Sequence, residues 1–465
     1  MIARLGLLIS RAFRSIMPDP FVLAVVLTFV TIALALLLTP ASPAQVVDAW
    51  ASDIGLWSLL KFAMQMALIL VTGHAVASSP PVARLTRRLA QLPTSGAGAA
   101  ALVAVLPTTT GVLNWGLGLI VGAVAAREVG AAMQRKGIRV HYPLLAASGY
   151  LGLMVWHGGF SGSAPLKVTN AAGIAEIFGA SPPIAPIALD RTLFSPMNLF
   201  ITGGLLILLP FIMAALAPRD SAVMQTAEAF GIAGSGAEEN AAPPAHAATA
   251  ERKPFLPRIL EDTPFVSWAL LLLIGIWAWR YYWPAEGPSG IRALTPDTVN
   301  LTMLALGLLL HRTPMGYVRA VEQAASGAAG IILQFPLYAG IMGIMAATGL
   351  TALFATSLAA IGTGATLPLT TFFSAAVVNI FVPSGGGQWA IQGPIAMHSA
   401  ITAGIDPAKM VMAVAYGDQL TNMLQPFWAL PLLAITKVAA RDIVGYTAVA
   451  MLAGALWIGL GLLLF

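Results

Sequence analysis

Long uncharged apolar stretches dominate the pattern of hydrophobic and polar positions. Residues 21–38, 197–216 and 446–465 are near the roughly 20 residues an α-helix needs to cross a hydrocarbon core about 30 Å thick. They are too continuous for barrel strands, which alternate over about 10 residues. Backbone polar groups inside a bilayer must be satisfied within the span, which leaves helices. The pattern predicts nine spanning helices, at 21–39, 57–78, 142–163, 196–217, 264–283, 296–311, 327–347, 410–435 and 443–465. Two further apolar stretches, 97–126 and 368–399, are interrupted by Pro and Gly at their centres.

Composition narrows the class further. Hydrophobic residues make up 58% of the chain and charged ones 9%, against about 25% charged in soluble domains. A water-facing surface cannot be built from that supply, so the chain is read as an all-α polytopic membrane protein. The net charge of +5 points to basic loops that set orientation and not to nucleic acid. With no cysteine, disulfides, thiolate metal sites and Cys nucleophiles are excluded. Arg4, Arg11 and Arg14 precede the first apolar run, and no small-residue cleavage site follows it, so a first membrane helix is expected there.

The positions of the charges decide the topology. Arg84, Arg87 and Arg88 precede residues 97–126, and Arg127, Arg135, Lys136 and Arg139 follow them. If both flanks are cytoplasmic, the stretch enters and leaves on one side, as a re-entrant hairpin with its turn at Pro107 to Gly111. Such backbone is tolerated at membrane depth only where it is buried in protein or lines a cavity. With the N-terminus cytoplasmic, every Lys and Arg except Lys61, Lys167, Arg191, Arg280, Arg292 and Lys409 falls on a cytoplasmic segment. Residues 218–262, with Gly234–Ser235–Gly236 and Pro243–Pro244, read as a mobile cytoplasmic linker that cannot bury a core. The second hairpin, 368–399, then opens from the outer side.

An internal repeat accompanies this topology. Met17–Pro18–Asp19 matches Thr295–Pro296–Asp297, and Gln65 matches Gln334. Pro107–Thr108–Thr109–Thr110–Gly111 matches Pro383–Ser384–Gly385–Gly386–Gly387, and Ala147–Ser148–Gly149–Tyr150 matches Ala415–Tyr416–Gly417–Asp418. All four pairs are spaced 268 to 278 residues apart. The division is a first repeat at 1–217, the linker at 218–262, an extra helix at 263–285 that inverts the second half, and a second repeat at 286–465. Inverted halves interrupted at corresponding positions place a transport site near the midplane.

Candidate chemistry gathers at the interruptions. Pro, hydroxyl residues and Gly break helices and leave N–H groups free, and a helix start with free N–H groups suits a carboxylate. The candidates for substrate binding are Thr108, Thr109, Thr110, Gly111, Asn114, Ser384, Gly385, Gly386, Gly387, Gln388 and Gln392, with His157 as a further ligand. Simple turns are the alternative for the two tips, and a structural imidazole for His157. Asp418 is the acid placed deep in a span, where an ionisable group is costly and by default functional. It pairs with Asn422 and Gln425 as an ion-coupling set for H⁺ or Na⁺; an acid held by structural amides is the alternative. Gln65 and Gln334 suit hydrogen bonds between helices. No Lys or Arg is placed in the cavity, which favours one carboxylate over two, and Trp115, Trp389 and Met423 are candidates to meet a short alkyl tail. No cofactor is implied beyond a coupling ion.

Several segments resemble a known family. Phe381-Val-Pro-Ser-Gly-Gly-Gly-Gln-Trp-Ala-Ile-Gln-Gly-Pro394 resembles the signature of the bacterial short-chain fatty acid transporters of the acetoacetate/butyrate uptake type. Ile332-Leu-Gln-Phe-Pro-Leu-Tyr-Ala-Gly340, Gly417-Asp-Gln-Leu-Thr-Asn-Met-Leu-Gln-Pro-Phe-Trp428 and Phe62-Ala-Met-Gln-Met66 are also similar to that family's. The resemblance implies membership of the ion transporter superfamily, with two inverted repeats, two re-entrant hairpins, an elevator-type scaffold and transport domain, a homodimer, and substrate and Na⁺ at the hairpin tips. The dicarboxylate branch carries Ser-Asn-Thr at both tips; here they read Thr-Thr-Thr-Gly and Ser-Gly-Gly-Gly, so its sodium ligands do not carry over. The expected function is a secondary active transporter of small monocarboxylates, such as butyrate or acetoacetate, in a bacterial inner membrane. The alternative is a passive channel for small anions or weak acids. An enzyme is not expected, since no His-Glu-x-x-His, Gly-x-Ser-x-Gly or paired catalytic aspartates are present.

Overall fold

The computed structural model describes residues 7–9, 11–12, 15, 18–178, 184–232, 254–284, 289–290, 295–359 and 362–465. Arg4, Arg14, Met17, Arg292 and the linker's 233–253 lie outside them. Every regular element among the described residues is helical. In chain order these are α1 (Pro20–Leu38), α2 (Pro43–Ala51), α3 (Leu60–Ser78), α4 (Pro80–Ala90), α5 (Gly96–Leu113), α6 (Trp115–Arg135), α7 (Tyr142–Gly149), α8 (Ser163–Lys167), α9 (Ala171–Phe178) and α10 (Pro196–Leu216). After the linker come α11 (Phe255–Asp262), α12 (Phe265–Tyr282), α13 (Pro296–His311), α14 (Pro314–Ala325), α15 (Ala329–Ala347) and α16 (Leu350–Ala359). The chain ends with α17 (Leu367–Phe381), α18 (Gly385–Ala403), α19 (Pro407–Thr421), α20 (Pro426–Thr436) and α21 (Ala440–Leu464).

One local device starts many of these helices: a Ser, Thr or Asp followed by Pro. Asp19, Ser42, Ser195, Thr295, Thr313 and Asp406 each accept a backbone N–H of the following first turn, and Pro sits just after each cap. The cap satisfies an orphan donor, and Pro needs none and is preset to the helical φ.

The helices fall into two groups. In one, α1 and α2 pack on α15, and α3 packs on α13, α14 and α15. In the other, α5 packs on α6 and α10, α17 and α18 on α19, α6 on α20, and α10 on α21. The second group is the more deeply buried, with thirteen of the fifteen residues of α19 in its interior. By contrast α12 turns Trp268, Leu272, Leu273, Ile276 and Trp279 outward, as a helix facing lipid does.

Both interrupted stretches are helical hairpins. The first turn sits a few residues later than Pro107 to Gly111, whereas the second falls at residues 382–384, where the expected Pro383 to Gly387 tip begins. α5 runs through Pro107 to Leu113, and Asn114 alone, with extended backbone (φ −158°, ψ 132°), joins it to α6. Proline costs a helix one hydrogen bond, which close neighbours in a membrane protein make tolerable. Gly111 serves packing: a Cβ there would lie 2.6 Å from the Gly152 carbonyl oxygen, and one on Gly118 would lie 2.7 Å from Gly111 Cα. In the second hairpin the chain is extended at Ser384, and Gly385, Gly386 and Gly387 form the first turn of α18.

Two stretches expected as continuous spans are broken. Within 142–163, α7 stops at Gly149 and single 3₁₀ turns follow at Leu151–Met154 and Trp156–Gly158 before α8. Within 410–435, α19 gives way to a 3₁₀ turn at Asn422–Leu424 and extended Gln425, and α20 begins at Pro426. The ring of Pro426 disfavours the α region for Gln425. The two breaks brace each other: Tyr150 Oη donates to Asn422 O at 2.8 Å and to Gln425 O at 3.0 Å. Nine helices among the described residues are long and apolar enough to cross a membrane. The number matches the expectation, but the membership differs. Hairpin arms α5 and α6 and the helical stretch Gly364–Phe381 qualify, whereas 142–163 and 410–435 are broken and α13 is shorter.

The order long helix, hairpin, broken helix, long helix thus occurs twice, as α3 to α10 and as α15 to α21. Part of the expected linker is ordered against the second group: Ala227 and Ile232 are buried, and Tyr142 N donates to Gln225 O at 2.8 Å.

Candidate functional site

The two hairpin tips meet at one cavity. It has a volume of ≈ 270 Å³ and is lined by Phe62, Asn114, Trp115, Trp156, Ser161, Ser163, Leu166, Ser384, Gly385, Gly386 and Trp428. None of these side chains is charged. A second cavity of ≈ 270 Å³, with Arg139 and Glu228 in its wall, lies at the other end of α6 and shares no residue with the tips.

The tips differ chemically. At the first, Asn114 Oδ1 accepts from Gly116 N at 2.9 Å and Leu117 N at 3.1 Å, and Ser161 Oγ accepts from Trp115 N at 3.0 Å. The orphan donors of the α6 start are therefore occupied. At the second, Ser384 Oγ accepts from Gly387 N at 3.2 Å, while Gly385 N and Gly386 N have no acceptor among the described residues. Those two N–H groups, the positive end of α18 and the hydroxyls of Ser161 and Ser163 form a neutral cradle for an anion. Gly385 must be glycine to sit there. A Cβ would lie 2.7 Å from Trp156 Cη2, 3.0 Å from His157 Cε1 and 3.1 Å from Ser163 Oγ.

Of the residues expected to bind substrate, Asn114, Ser384, Gly385 and Gly386 line the cavity; the others do other work. Thr108 Oγ1 donates to Ala104 O and Val105 O, Thr110 Oγ1 donates to Leu106 O, and Thr109 faces outward. Gly111 packs on Gly152, and Gly387 supplies the capped N–H. Gln388 Nε2 donates to Ala375 O and Gln392 Oε1, each at 2.9 Å, and Gln392 Nε2 donates to Ser374 Oγ at 3.2 Å. These amides tie α18 to α17. Trp389 and Met423 are buried away from the cavity. Gln65 Nε2 reaches Asp297 Oδ1 on α13 at 2.6 Å, the bond between helices expected of it.

His157 and Asp418 come together behind the cradle. His157 Nδ1 lies 3.1 Å from Asp418 Oδ1, with both side chains almost wholly buried. His157 Nε2 accepts from Ala164 N at 3.1 Å, so the ring carries its proton on Nδ1 and donates it to the carboxylate. The ring also stacks on Trp156, centroids 4.3 Å apart. Gln419 Oε1 accepts from His157 N at 3.1 Å. On the far side of Asp418, Asn379 Nδ2 donates to Asp418 O at 2.6 Å and to Asn422 Oδ1 at 2.9 Å. Five polar atoms of this cluster are buried without a partner: Asp418 Oδ2, Asn379 Oδ1, Gln425 Oε1, Gln419 Nε2 and Asn422 Nδ2. Native interiors rarely leave such groups unpaired, and this set offers a proton a carboxylate and a small cation several oxygens.

Sequence reasoning missed Trp156, Ser161, Ser163, Phe62 and Trp428 as cavity walls and Asn379 as a member of the cluster. A signal for the first three was present, since Gly158, Gly159 and Gly162 among hydroxyl residues argue against a continuous helix.

Known proteins are similar in sequence over the whole length of the chain. The family model described as "Short chain fatty acid transporter" matches residues 1–465. A protein of Escherichia coli (strain K12) named "Putative short-chain fatty acid transporter" is 41% identical over 465 residues, covering 100% of both chains. One of the same name from Haemophilus influenzae (strain ATCC 51907 / DSM 11121 / KW20 / Rd) is 38% identical over 454 residues, covering 97% of each. Among solved structures, the Alcanivorax borkumensis YdaH transporter aligns at 16% identity and a TM-score of 0.44, over 96% of this chain and 97% of that one. Neisseria gonorrhoeae MtrF aligns at 14% identity and a TM-score of 0.33, over 96% and 95%. At those scores the two add nothing about site or mechanism. The extent and identity of the sequence matches establish that this chain belongs to the short-chain fatty acid transporter family.

Proposed function

We propose that the chain is a secondary active transporter of small monocarboxylates such as butyrate or acetoacetate, working in a bacterial inner membrane with its N-terminus cytoplasmic. The observation that carries this reading is the uncharged cavity at the meeting of the two hairpin tips, with the N–H groups of Gly385 and Gly386 unpaired beside it. One carboxylate is matched by these donors and nearby hydroxyls; a second would be left without a counter-charge, since no Lys or Arg lines the wall. The coupling group is Asp418, held by His157 and surrounded by unpaired amide atoms. A proton or Na⁺ taken up there offsets the charge of the carboxylate seated next to it, which links the two ligands.

The two hairpins are re-entrant, related by inverted halves, and the group containing α5–α7 and α17–α21 moves as the transport domain of an elevator. The group containing α1–α3 and α12–α15 is its scaffold, in a homodimer. Uptake into proteoliposomes of a panel of two- to six-carbon acids, under separately imposed proton and sodium gradients, tests the function. Accumulation of short monocarboxylates under one of the gradients is expected. Competition by dicarboxylates but not by short monocarboxylates contradicts the substrate class. The absence of counterflow, in which internal unlabelled acid drives uptake of label, would favour the passive channel.

A further inference from the structure

We propose that Phe62, Trp115 and Trp428 form a length gauge that sets which chain lengths the site accepts; this rests on the carboxylate being held at Gly385 and Gly386. The three rings close on one another at the apolar wall of the cavity. Their centroids are 6.1 Å apart for Phe62 and Trp115, 5.8 Å for Phe62 and Trp428, and 5.3 Å for Trp115 and Trp428. The last two pairs meet edge to face, at 75° and 70°, the geometry aromatic quadrupoles favour. Each ring comes from a different segment: Phe62 from α3, Trp115 from the first hairpin tip, Trp428 from α20 just after the second helix break.

The wall is backed so that it does not yield. Trp115 and Trp428 are more than nine-tenths buried, and the Trp115 backbone is tied to Ser161. Phe62 leans on Phe335 at 5.7 Å, which packs on Phe427 at 4.2 Å. A ligand with its carboxylate on the α18 amides leaves its alkyl tail to the apolar remainder of the cavity. Each added methylene then gains about fourfold in affinity, from roughly 0.8 kcal/mol per buried CH₂, until the tail reaches the rings. Beyond that length the tail must displace close-packed aromatics, and affinity falls. Phe62 is also the member supplied by the helix group that does not contribute the tips, so the gauge is complete only while the two groups are apposed as they are here.

The experiment is competition by straight-chain acids of two to eight carbons against labelled butyrate counterflow, in proteoliposomes, for the unaltered chain, Phe62→Ala and Trp428→Phe. The unaltered chain should show affinity rising about fourfold per carbon to a maximum and then dropping. Phe62→Ala should move that maximum one or two carbons longer, with acetate changed by less than about twofold, and Trp428→Phe should move it in the same direction by less. A profile that keeps its maximum in both variants, with all lengths weakened alike, overturns the gauge and leaves the carboxylate reading standing. If no monocarboxylate of any length competes in the unaltered chain, the carboxylate reading fails and the gauge with it.

Discussion

Adjacent glycines at the start of α18 should respond unequally to the same methyl group. At Gly385 a Cβ would stand 2.7 Å from Trp156 Cη2, whereas carbon atoms settle at about 3.5–4.0 Å. Trp156 is buried and stacked on His157 at 24° between ring planes, so it cannot swing aside, and the helix start must retreat by about 0.8 Å or more. A 2.9 Å N–H···O contact stretched that far is no longer a hydrogen bond. Losing one bond to a charged acceptor costs about 1.5–3 kcal/mol, or roughly ten- to hundredfold in affinity. At Gly386 a Cβ finds no protein atom within 4 Å, so the helix start keeps its place and Gly386→Ala should weaken binding less than Gly385→Ala does. The measurement is the butyrate concentration for half-maximal counterflow in Gly385→Ala and Gly386→Ala, on preparations matched for unfolding temperature. Equal values for the two variants, or no change at Gly385→Ala, would refute the assignment of the carboxylate to the first turn of α18.

Asp418→Asn keeps an oxygen for His157 Nδ1 but removes the charge; it should abolish ion-driven accumulation, which under one-to-one proton coupling is about tenfold per pH unit, while counterflow persists. Unchanged accumulation ratios would remove Asp418 from coupling. Tyr150→Phe deletes the hydroxyl bonded to Asn422 O and Gln425 O and should cost about 1–3 kcal/mol, seen as a lower unfolding temperature in detergent. Asn114→Ala removes the cap of α6 and should cost about 0.5–2 kcal/mol, whereas Asn114→Ser should recover most of the loss.

Much of the architecture was legible because a bilayer admits so few solutions. Apolar length identified the long helices, and the basic residues flanking 97–126 argued for a chain that turns back on itself. The turn was misplaced because Pro107 and Gly111 resemble a breaker motif in isolation. In the fold Gly111 exists for the backbone of Gly152, a contact that no local pattern reveals. The breaks after Gly149 and Thr421 were hidden for a different reason. Each is stable only because the other half satisfies it, Tyr150 bonding the carbonyls that open near Pro426. The pairing of His157 with Asp418 across two halves of the chain was equally invisible, although each residue was singled out by itself. Asn379 gave no warning at all, since one amide in an apolar helix is as often a helix-to-helix bond. Of the polar tip residues, those that reach the cavity are the ones at the actual breaks, Asn114 and Ser384 to Gly386, and the hydroxyls one turn earlier are spent on their own helix.

The unequal capping of the two tips has a consequence for direction. Asn114 and Ser161 occupy the backbone donors that open α6 at one tip, so under the proposed function a bound acid would have its free backbone donors at the other tip alone and take one orientation. Presented to one face of the membrane, it departs with its head group leading and is rehydrated as it leaves. Presented to the other, the greasy end emerges first and the head group stays gripped until last. For the carrier proposed above, two exits with different barriers would make transport kinetically one-sided at saturation, while equilibrium requires the same ratio of maximal rate to half-saturating concentration in both directions.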